Sequence, residues 1–278
     1  VETVLNFCHH CLCDEALTDH LDYFEERGIG IIMDLVVNHC SDEHEWFRKA
    51  CEDPDGEYGK YFYIEDRKDG EYPNNWRSFF GGSAWEMLPG HPDKCYLHLF
   101  HRKQPDLNWE NPRLREEIYD MICWWLDKGL AGFRIDAIIN IQKRLPFHGD
   151  PADRPDGTVN ASVMLADVTQ GLYGRLSELK ERTFARYDAF TAAEVFSEER
   201  YDLKKFFGDG GFFSTIFDFT PDTFGISDKG WYDRTLITPD GYRDTVFASQ
   251  KRADEIGGFY SNIIENHDEC RGVSRYLP

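Results

Sequence analysis

The sequence predicts an α/β protein built on a parallel β-sheet. Short apolar strands alternate along the chain with amphipathic helices, and this alternation is typical of parallel strands joined by right-handed crossovers. Four of the predicted strands end on charged or imidazole side chains, which α/β folds gather at the carboxyl edge of the sheet. One long interruption, residues 40–107, breaks the alternation and predicts a small inserted subdomain.

The first predicted elements are a helix and a strand. Apolar residues recur on one helical face over residues 14–27, and Gly28 supplies the stop. The β-branched run over residues 29–37 predicts a strand that is buried on both faces, as in the interior of a parallel sheet. This strand leads into the polar pair Asn38 and His39.

The insert differs in composition from the elements before it and is rich in Gly, Pro, Asn, Asp and aromatic residues. A short helix is predicted over residues 43–51, and alternation over residues 95–100 predicts a strand. We expect its aromatic side chains to form a small core of their own and also one wall of a cleft, with Phe80 as the candidate for contacting a ligand.

The second half of the chain returns to the alternation. Residues 111–128 predict a helix capped by Asn111, with Pro112 at its first position. The strand over residues 130–135 follows directly. The later elements are predicted as helices over residues 161–186, 198–207 and 242–256, strands over residues 189–195, 213–219 and 259–265, and a loop over residues 221–240.

Composition excludes several classes of function. The 278 residues carry a formal net charge of −20, so a phosphate backbone or an anionic membrane surface would repel the protein. The sequence contains no run of about twenty apolar residues that predicts a membrane span. No leader sequence is visible after Val1, and we expect neither nucleic acid nor membrane as a partner.

The eight cysteines suggest a reducing, cytoplasmic location. Cys8, Cys11 and Cys13 lie close together with two histidines between them, and this cluster could bind zinc. No second Cys/His pair follows at a turn, so free thiols are favoured and we expect no cofactor. The other five cysteines are scattered without the spacing of a disulfide framework.

Polar clusters at four strand ends are the candidate site. They are Asn38 with His39, Arg134 with Asp136, Glu194, and His267 with Asp268. Arg134 and Asp136 are two apart and share one face of a strand, where the guanidinium favours the ionised carboxylate. Alone, that pair could be a structural ion pair. Three carboxylates at one edge indicate acid/base chemistry such as glycoside cleavage, with a metal site as the alternative.

Five motifs in order resemble the conserved regions of glycoside hydrolase family 13, the α-amylase superfamily. They are DLVVNH at residues 34–39, QPDLNW at residues 104–109, GFRIDA at residues 132–137, AEV at residues 193–195 and ENHD at residues 265–268. The surrounding segments SDEHEWF, PNNW and FTPDTFG are similar to the oligo-1,6-glucosidase and α-glucosidase branch. The resemblance implies a (β/α)8 barrel with the insert as its domain B.

The resemblance also implies a retaining mechanism with a covalent glucosyl-enzyme intermediate. Asp136 would be the nucleophile, and Arg134 would keep it ionised. Glu194 would be the general acid and then the general base. Asp268 would stabilise the transition state by binding the sugar 2- and 3-hydroxyls.

Further residues would bind the substrate, which the resemblance implies is a short oligosaccharide of the isomaltose type. His39 and His267 would hydrogen-bond the sugar at the cleavage subsite, and Arg271 would lie near it. We also assign Phe80 to substrate binding. Ala137 would line the next subsite, where this branch carries a larger apolar residue for α-1,6 bonds and Thr for α-1,4 bonds, so α-1,6 cleavage is favoured only by the wider similarity.

By this correspondence the chain carries barrel strands 3 to 7. Residues 1–39 would be a partial barrel, residues 40–107 domain B, and residues 108–278 the continued barrel. Strands 1, 2 and 8, the first-strand calcium loop and the C-terminal β-domain have no counterpart. We therefore expect a fragment or truncated product that folds poorly alone. An inactive remnant, a non-catalytic transporter-associated relative and an endo-acting amylase are the alternatives, and the oligomeric state is left open.

Overall fold

The computed structural model describes residues 21–196, 198–219, 238–267 and 271–276. The predicted first helix is therefore described only in part. Residues 21–25 are helical, and Gly28 ends the segment with a positive φ of 68°. Within these ranges no helix is both long and apolar enough to cross a membrane.

The described strands and helices are numbered in chain order. The strands are β1 (Ile32–Val36), β2 (Ile64–Asp66), β3 (Trp76–Arg77), β4 (Trp85–Leu88), β5 (His91–Leu97), β6 (Gly132–Asp136), β7 (Val159–Asn160), β8 (Phe190–Ala193), β9 (Thr215–Phe217) and β10 (Tyr260–Ser261). The α-helices are α1 (Glu45–Glu52), α2 (Pro112–Asp127), α3 (Leu165–Arg182), α4 (Leu203–Phe206), α5 (Pro239–Asp254) and α6 (Gly272–Tyr276).

The main sheet has the strand order β1-β6-β8-β9-β10, which follows the order along the chain. Its later strands are parallel, with Ala192 opposite Thr215 and Tyr260 opposite Ile216. Helices α2, α3 and α5 lie between successive strands in the chain, so the predicted alternation and the parallel sheet are confirmed.

Three strand predictions need correction. The first strand is shorter than predicted, and Ile32 is 44% exposed, so the prediction of burial on both faces is wrong. β1 is an edge strand of the described sheet, and its first side chains meet solvent there. The strand predicted over residues 95–100 begins at His91, since it pairs with β4 across a turn at Gly90. The last strand covers two residues, where seven were predicted.

The chain folds as two compact units. Unit 1 is Val1–Gly132 with Asp136–Ala189, and unit 2 is Phe133–Ile135 with Phe190–Pro278. The predicted domain boundaries after residues 39 and 107 stay a prediction.

Unit 1 contains the insert, which has its own antiparallel sheet in the order β2-β5-β4. The predicted short helix is confirmed as α1, which buries Phe47 against the rings of Phe62 and Tyr96. This core confirms the prediction that the insert's aromatic residues pack with one another. Helix α2 begins as predicted, with the side chain of Asn111 accepting from the amide of Arg113 at 2.9 Å.

Unit 2 holds the last strands of the main sheet and helix α5. Gln250 of α5 donates to the carbonyl of Tyr260 at 2.8 Å and accepts from its amide at 3.1 Å. One side chain thus satisfies both backbone polar groups of an edge-strand residue, which would otherwise be left unpaired beside the helix.

Candidate active site

His39 lies at the end of β1 in unit 1 and contacts an aromatic cluster. Its ring is 5% exposed, and its centre lies 5.1 Å from the ring of Phe100. The same Phe100 ring lies 5.7 Å from Phe80, which is 67% exposed. Two residues predicted from the sequence, His39 and Phe80, therefore touch one aromatic ring, and Phe80 presents an apolar face to solvent.

Burial favours the neutral form of the His39 ring. Burial lowers the pKa of His39, and this effect outweighs the opposing influence of the carboxylates of Asp106 and Asp136. A neutral imidazole has one donor nitrogen and one acceptor nitrogen. His39 is therefore suited to hydrogen-bonding a hydroxyl group from a buried position.

A fully buried ion pair lies beside His39 and was not predicted. The Nζ of Lys143 is 2.7 Å from Oδ2 of Asp106, and both side chains are 0% exposed. Lys143 Nζ also donates to Oδ1 of Asn38 at 2.8 Å. The available signal was a lone lysine in the apolar run that follows β6, together with the aspartate of the QPDLNW motif.

Asp136 is the last residue of β6, as predicted for a carboxylate at a strand end. The chain then turns sharply at Ala137, which has a φ of 43° and a ψ of 33°. Its carbonyl accepts from the amide of Asn140 at 3.0 Å, which starts a short 3-10 turn. Ala137 is only 3% exposed, and its predicted contact with a substrate stays a prediction.

The carboxylate of Glu194 in unit 2 follows β8 directly and pairs with Arg134. An Arg134 guanidinium nitrogen donates to Oε1 of Glu194, and the two side chains are 15% and 6% exposed. The backbone amide of Glu194 donates to the carbonyl of Ile135 at 2.9 Å, and this hydrogen bond joins the two chain segments that carry Arg134 and Glu194. The structure thus gives Arg134 a second acidic partner, while its predicted role toward Asp136 stays a prediction.

The last motif is described only in part. Asp268 lies outside the described residues, and His267 is exposed. Arg271 is also exposed and pairs with Oε1 of Glu265 at 2.8 Å, while Oε2 of Glu265 accepts from the amide of Gly272 at 2.5 Å. The hydrogen bond from the Gly272 amide is the main cause of the lowered pKa of Glu265, which caps helix α6.

Among the described residues, no group of three or more His, Cys, Asp or Glu side chains could hold a metal ion. The cluster of Cys8, Cys11 and Cys13 lies outside those residues. The cysteines at positions 40, 51, 95 and 123 are free thiols.

A parallel sheet with carboxylates at two strand ends and a small insert after the first described strand is the arrangement expected of part of a (β/α)8 barrel. The chain belongs to the alpha-amylase family, since the family model described as "Alpha amylase, catalytic domain" matches residues 13–277. The sheet is that of an incomplete (β/α)8 barrel, which confirms the predicted fold.

Two curated relatives show which members of the family the chain is similar to in sequence. The chain is 39% identical over 264 residues to the probable oligo-1,6-glucosidase 3 of Bacillus subtilis and 42% identical over 267 residues to a glucan 1,6-alpha-glucosidase of Streptococcus dysgalactiae. Each match covers 94% of this chain and 45% of the relative. The chain therefore spans less than half the length of the curated relatives it matches.

Two solved structures are similar to this chain in both fold and sequence. The trehalose-6-phosphate hydrolase of Bacillus licheniformis matches with a TM-score of 0.79 at 32% identity, over 94% of this chain and 46% of that protein. Trehalulose synthase MutB from Pseudomonas mesoacidophila matches with a TM-score of 0.75 at 34% identity, over the same shares of the two chains.

Proposed function

We propose that this protein is an exo-acting α-glucosidase that cleaves α-1,6 bonds of short oligosaccharides with retention of configuration. The observation that carries the proposal is the position of two carboxylates. Asp136 ends β6 and Glu194 directly follows β8, so each lies at the carboxyl end of a strand of one parallel sheet, where barrel enzymes place catalytic groups.

The proposed reaction has two steps. In the first, the Asp136 carboxylate attacks the anomeric carbon while Glu194 gives its proton to the departing glycosidic oxygen, forming a glucosyl ester. In the second, the Glu194 carboxylate takes a proton from water, and the water oxygen displaces Asp136. Asp268 would hold the sugar hydroxyls throughout.

Five residues are the proposed sugar contacts. Phe80 offers an exposed ring to the apolar face of a pyranose. The neutral His39 ring offers a hydrogen bond to a hydroxyl group, and Ala137, His267 and Arg271 complete the proposed binding set. The names of the relatives support the preference for α-1,6 bonds over α-1,4 bonds.

Among the described residues, the cysteines at positions 40, 51, 95 and 123 are free thiols, which supports a reducing location, and the cytoplasm is the proposed one. The proposed partner is an isomaltose-like sugar.

The test measures hydrolysis of isomaltose and of p-nitrophenyl α-glucoside by the whole chain and by Asp136→Asn. We expect loss of at least about a thousandfold in kcat for the variant, because amide nitrogen is no nucleophile here. The matched control is Asp156→Asn, since Asp156 is an exposed aspartate in the loop before β7. Proton NMR of early product should show α-glucose first.

Other outcomes separate the alternatives. Early β-glucose would overturn retention, and mixed longer products would favour an endo-acting amylase. If no variant-sensitive hydrolysis occurs but calorimetry detects isomaltose binding, the protein is a sugar-binding relative of the family, such as a transporter-associated chain. Loss of both binding and hydrolysis would identify an inactive remnant.

A further inference from the structure

We propose that Lys143 is a positioning residue that determines which ring nitrogen of His39 carries the proton. The proposal rests on the proposed role of His39 as a hydrogen-bond partner of the sugar. It concerns residues of unit 1 alone, and it goes beyond that role by assigning a further residue to the site.

The ammonium of Lys143 is saturated by three acceptors. These are Oδ2 of Asp106 at 2.7 Å, Oδ1 of Asn38 at 2.8 Å and the carbonyl of Asn140. An ammonium has three N–H donors and no acceptor, so each donor has one partner. The three contacts join the end of β1, the return from the insert and the turn after β6.

This arrangement leaves the Asn38 amide one orientation. Lys143 can only donate, so it must meet the amide oxygen, and the Asp106 carboxylate can only accept, so it must meet the amide nitrogen. Asn38 Nδ2 accordingly donates to Asp106 Oδ2 at 3.2 Å. The reversed amide would place donor against donor and acceptor against acceptor in a fully buried site, where hydrogen-bonding groups left unpaired are strongly destabilising.

The fixed amide in turn dictates the tautomer of His39. Asn38 Nδ2 lies 3.2 Å from Nδ1 of His39. Because that amide nitrogen can only donate, Nδ1 must accept, and the single proton of the neutral ring must lie on Nε2.

Gln104 competes for the same ring. Its Nε2 lies 3.0 Å from His39 Nε2, while its Oε1 accepts from the amide of His101 at 3.1 Å. Two amide donors thus face a ring that accepts only once. Asn38 is 0% exposed and held by Lys143, whereas Gln104 is half-buried, so Gln104 is the side chain that must turn aside. The N–H of His39 is then offered, on the side of Gln104, to an oxygen of a hydroxyl-bearing ligand.

The experiment reads the tautomer directly by two-dimensional NMR of the whole chain with 15N-labelled histidine, without substrate. We expect the Nε2–H pattern for His39 in the unaltered protein and in Gln104→Ala. Lys143→Met should raise the Nδ1–H share, because the 2.8 Å hydrogen bond that holds the Asn38 amide oxygen is lost and only the longer 3.2 Å contact of Asn38 Nδ2 with Asp106 still orients the amide. Asn38→Asp should convert the ring to Nδ1–H with the ammonium still present, so it serves as well if Lys143→Met does not fold.

An Nδ1–H ring in the unaltered protein would overturn the proposal, and so would a tautomer change in Gln104→Ala or its absence in a folded Lys143→Met. Lys49→Met, which removes a half-exposed lysine of α1, is the control and should leave the ring unchanged. Because no substrate is present, a failure here is distinct from a failure of the proposed hydrolysis.

Discussion

At the scale of single residues, the contact between Arg134 and Glu194 joins two motifs that lie 60 residues apart. The sequence alone pairs Arg134 with Asp136, since alternate residues of a strand share a face. It does not reveal a partner on another strand, because strand register is a tertiary property. Both side chains of the observed pair are largely buried, so each charge depends on a partner for compensation.

The ion pair of Arg134 and Glu194 should give a measurable coupling free energy of unfolding. Arg134→Met should destabilise the protein, because it leaves the Glu194 carboxylate buried without its cation. Glu194→Gln in the same background should recover part of the loss. We expect a coupling free energy of about 1–3 kcal/mol from a double-mutant cycle of urea unfolding. The exposed pair Arg243 and Asp240 of α5 gives the control cycle, expected below about 1 kcal/mol, and equal couplings in both cycles would contradict the prediction.

The left-handed backbone conformation of Ala137 could not be predicted from the sequence. A left-handed backbone is disfavoured for any residue with a Cβ, so a sequence with Ala at this position gives no sign of the turn. The strand before it, with Asp136 at its end, was predictable because its apolar residues and its closing polar group form a local pattern. The sharp exit from the strand is imposed by the surrounding structure.

At the scale of elements, residues 141–160 lie between the predicted strand over residues 130–135 and the predicted helix over residues 161–186, where no element was predicted, but this segment is attached to the insert. β7 pairs with β3 in parallel, and Asp150 accepts from Nε1 of Trp76 at 2.9 Å. The Asp150 amide and carbonyl also bond the side chain of Asn75, and Arg144 pairs with its carboxylate. The contacts of Asp150 with Asn75 and Trp76 bridge about 75 residues, a separation at which sequence patterns carry little information.

The contacts of Asp150 should protect backbone amides of the segment over residues 141–160 from hydrogen exchange. Asp150→Ala removes an acceptor from a Trp and an Arg that are both largely buried, so the segment should open more often. We expect hydrogen exchange of the Val159 amide, which donates to the carbonyl of Asn75 at 3.1 Å, to accelerate at least about tenfold. Amides of β9 in unit 2 should keep their rates. Asp120→Ala, at an exposed position of α2, is the control, and equal acceleration in both variants would show that Asp150 does not hold the segment.

At the scale of the whole molecule, the order of elements was predictable and their lengths were not. Helix α2 follows the prediction closely because a cap, an N-terminal Pro and a terminal Gly all lie within its own sequence. β10 has only two paired residues, since its extent is set by its neighbour β9. His39 and Phe80 were assigned to the candidate site from the sequence, whereas Lys143 required the three-dimensional structure.

The two most buried histidines among the described residues of unit 1 predict how stability depends on pH. His39 and His98 are each 5% exposed, and burial lowers the pKa of both below the ordinary value of 6.5. Between those folded-state pKa values and about 6.5, the unfolded chain binds more protons than the folded chain. Stability from these groups is therefore complete above about pH 6.5 and is lost as pH falls, by at most about 1.4 kcal/mol per pH unit for each histidine.

The variant His98→Asn removes the contribution of His98 to the pH dependence of stability and leaves that of His39. Nδ1 of His98 donates to the carbonyl of Phe100 at 3.2 Å, and an Asn amide can supply the same donor without titrating. Urea unfolding at pH 7.5, 6.5 and 5.5 should show a shallower loss of stability for His98→Asn than for the unaltered chain. His148→Asn, at an exposed position, should retain the full slope, and carboxylate titration is common to all three proteins. Identical slopes in all three would mean that the buried ring of His98 takes up its proton without unfolding, and that its burial does not oppose the charged form.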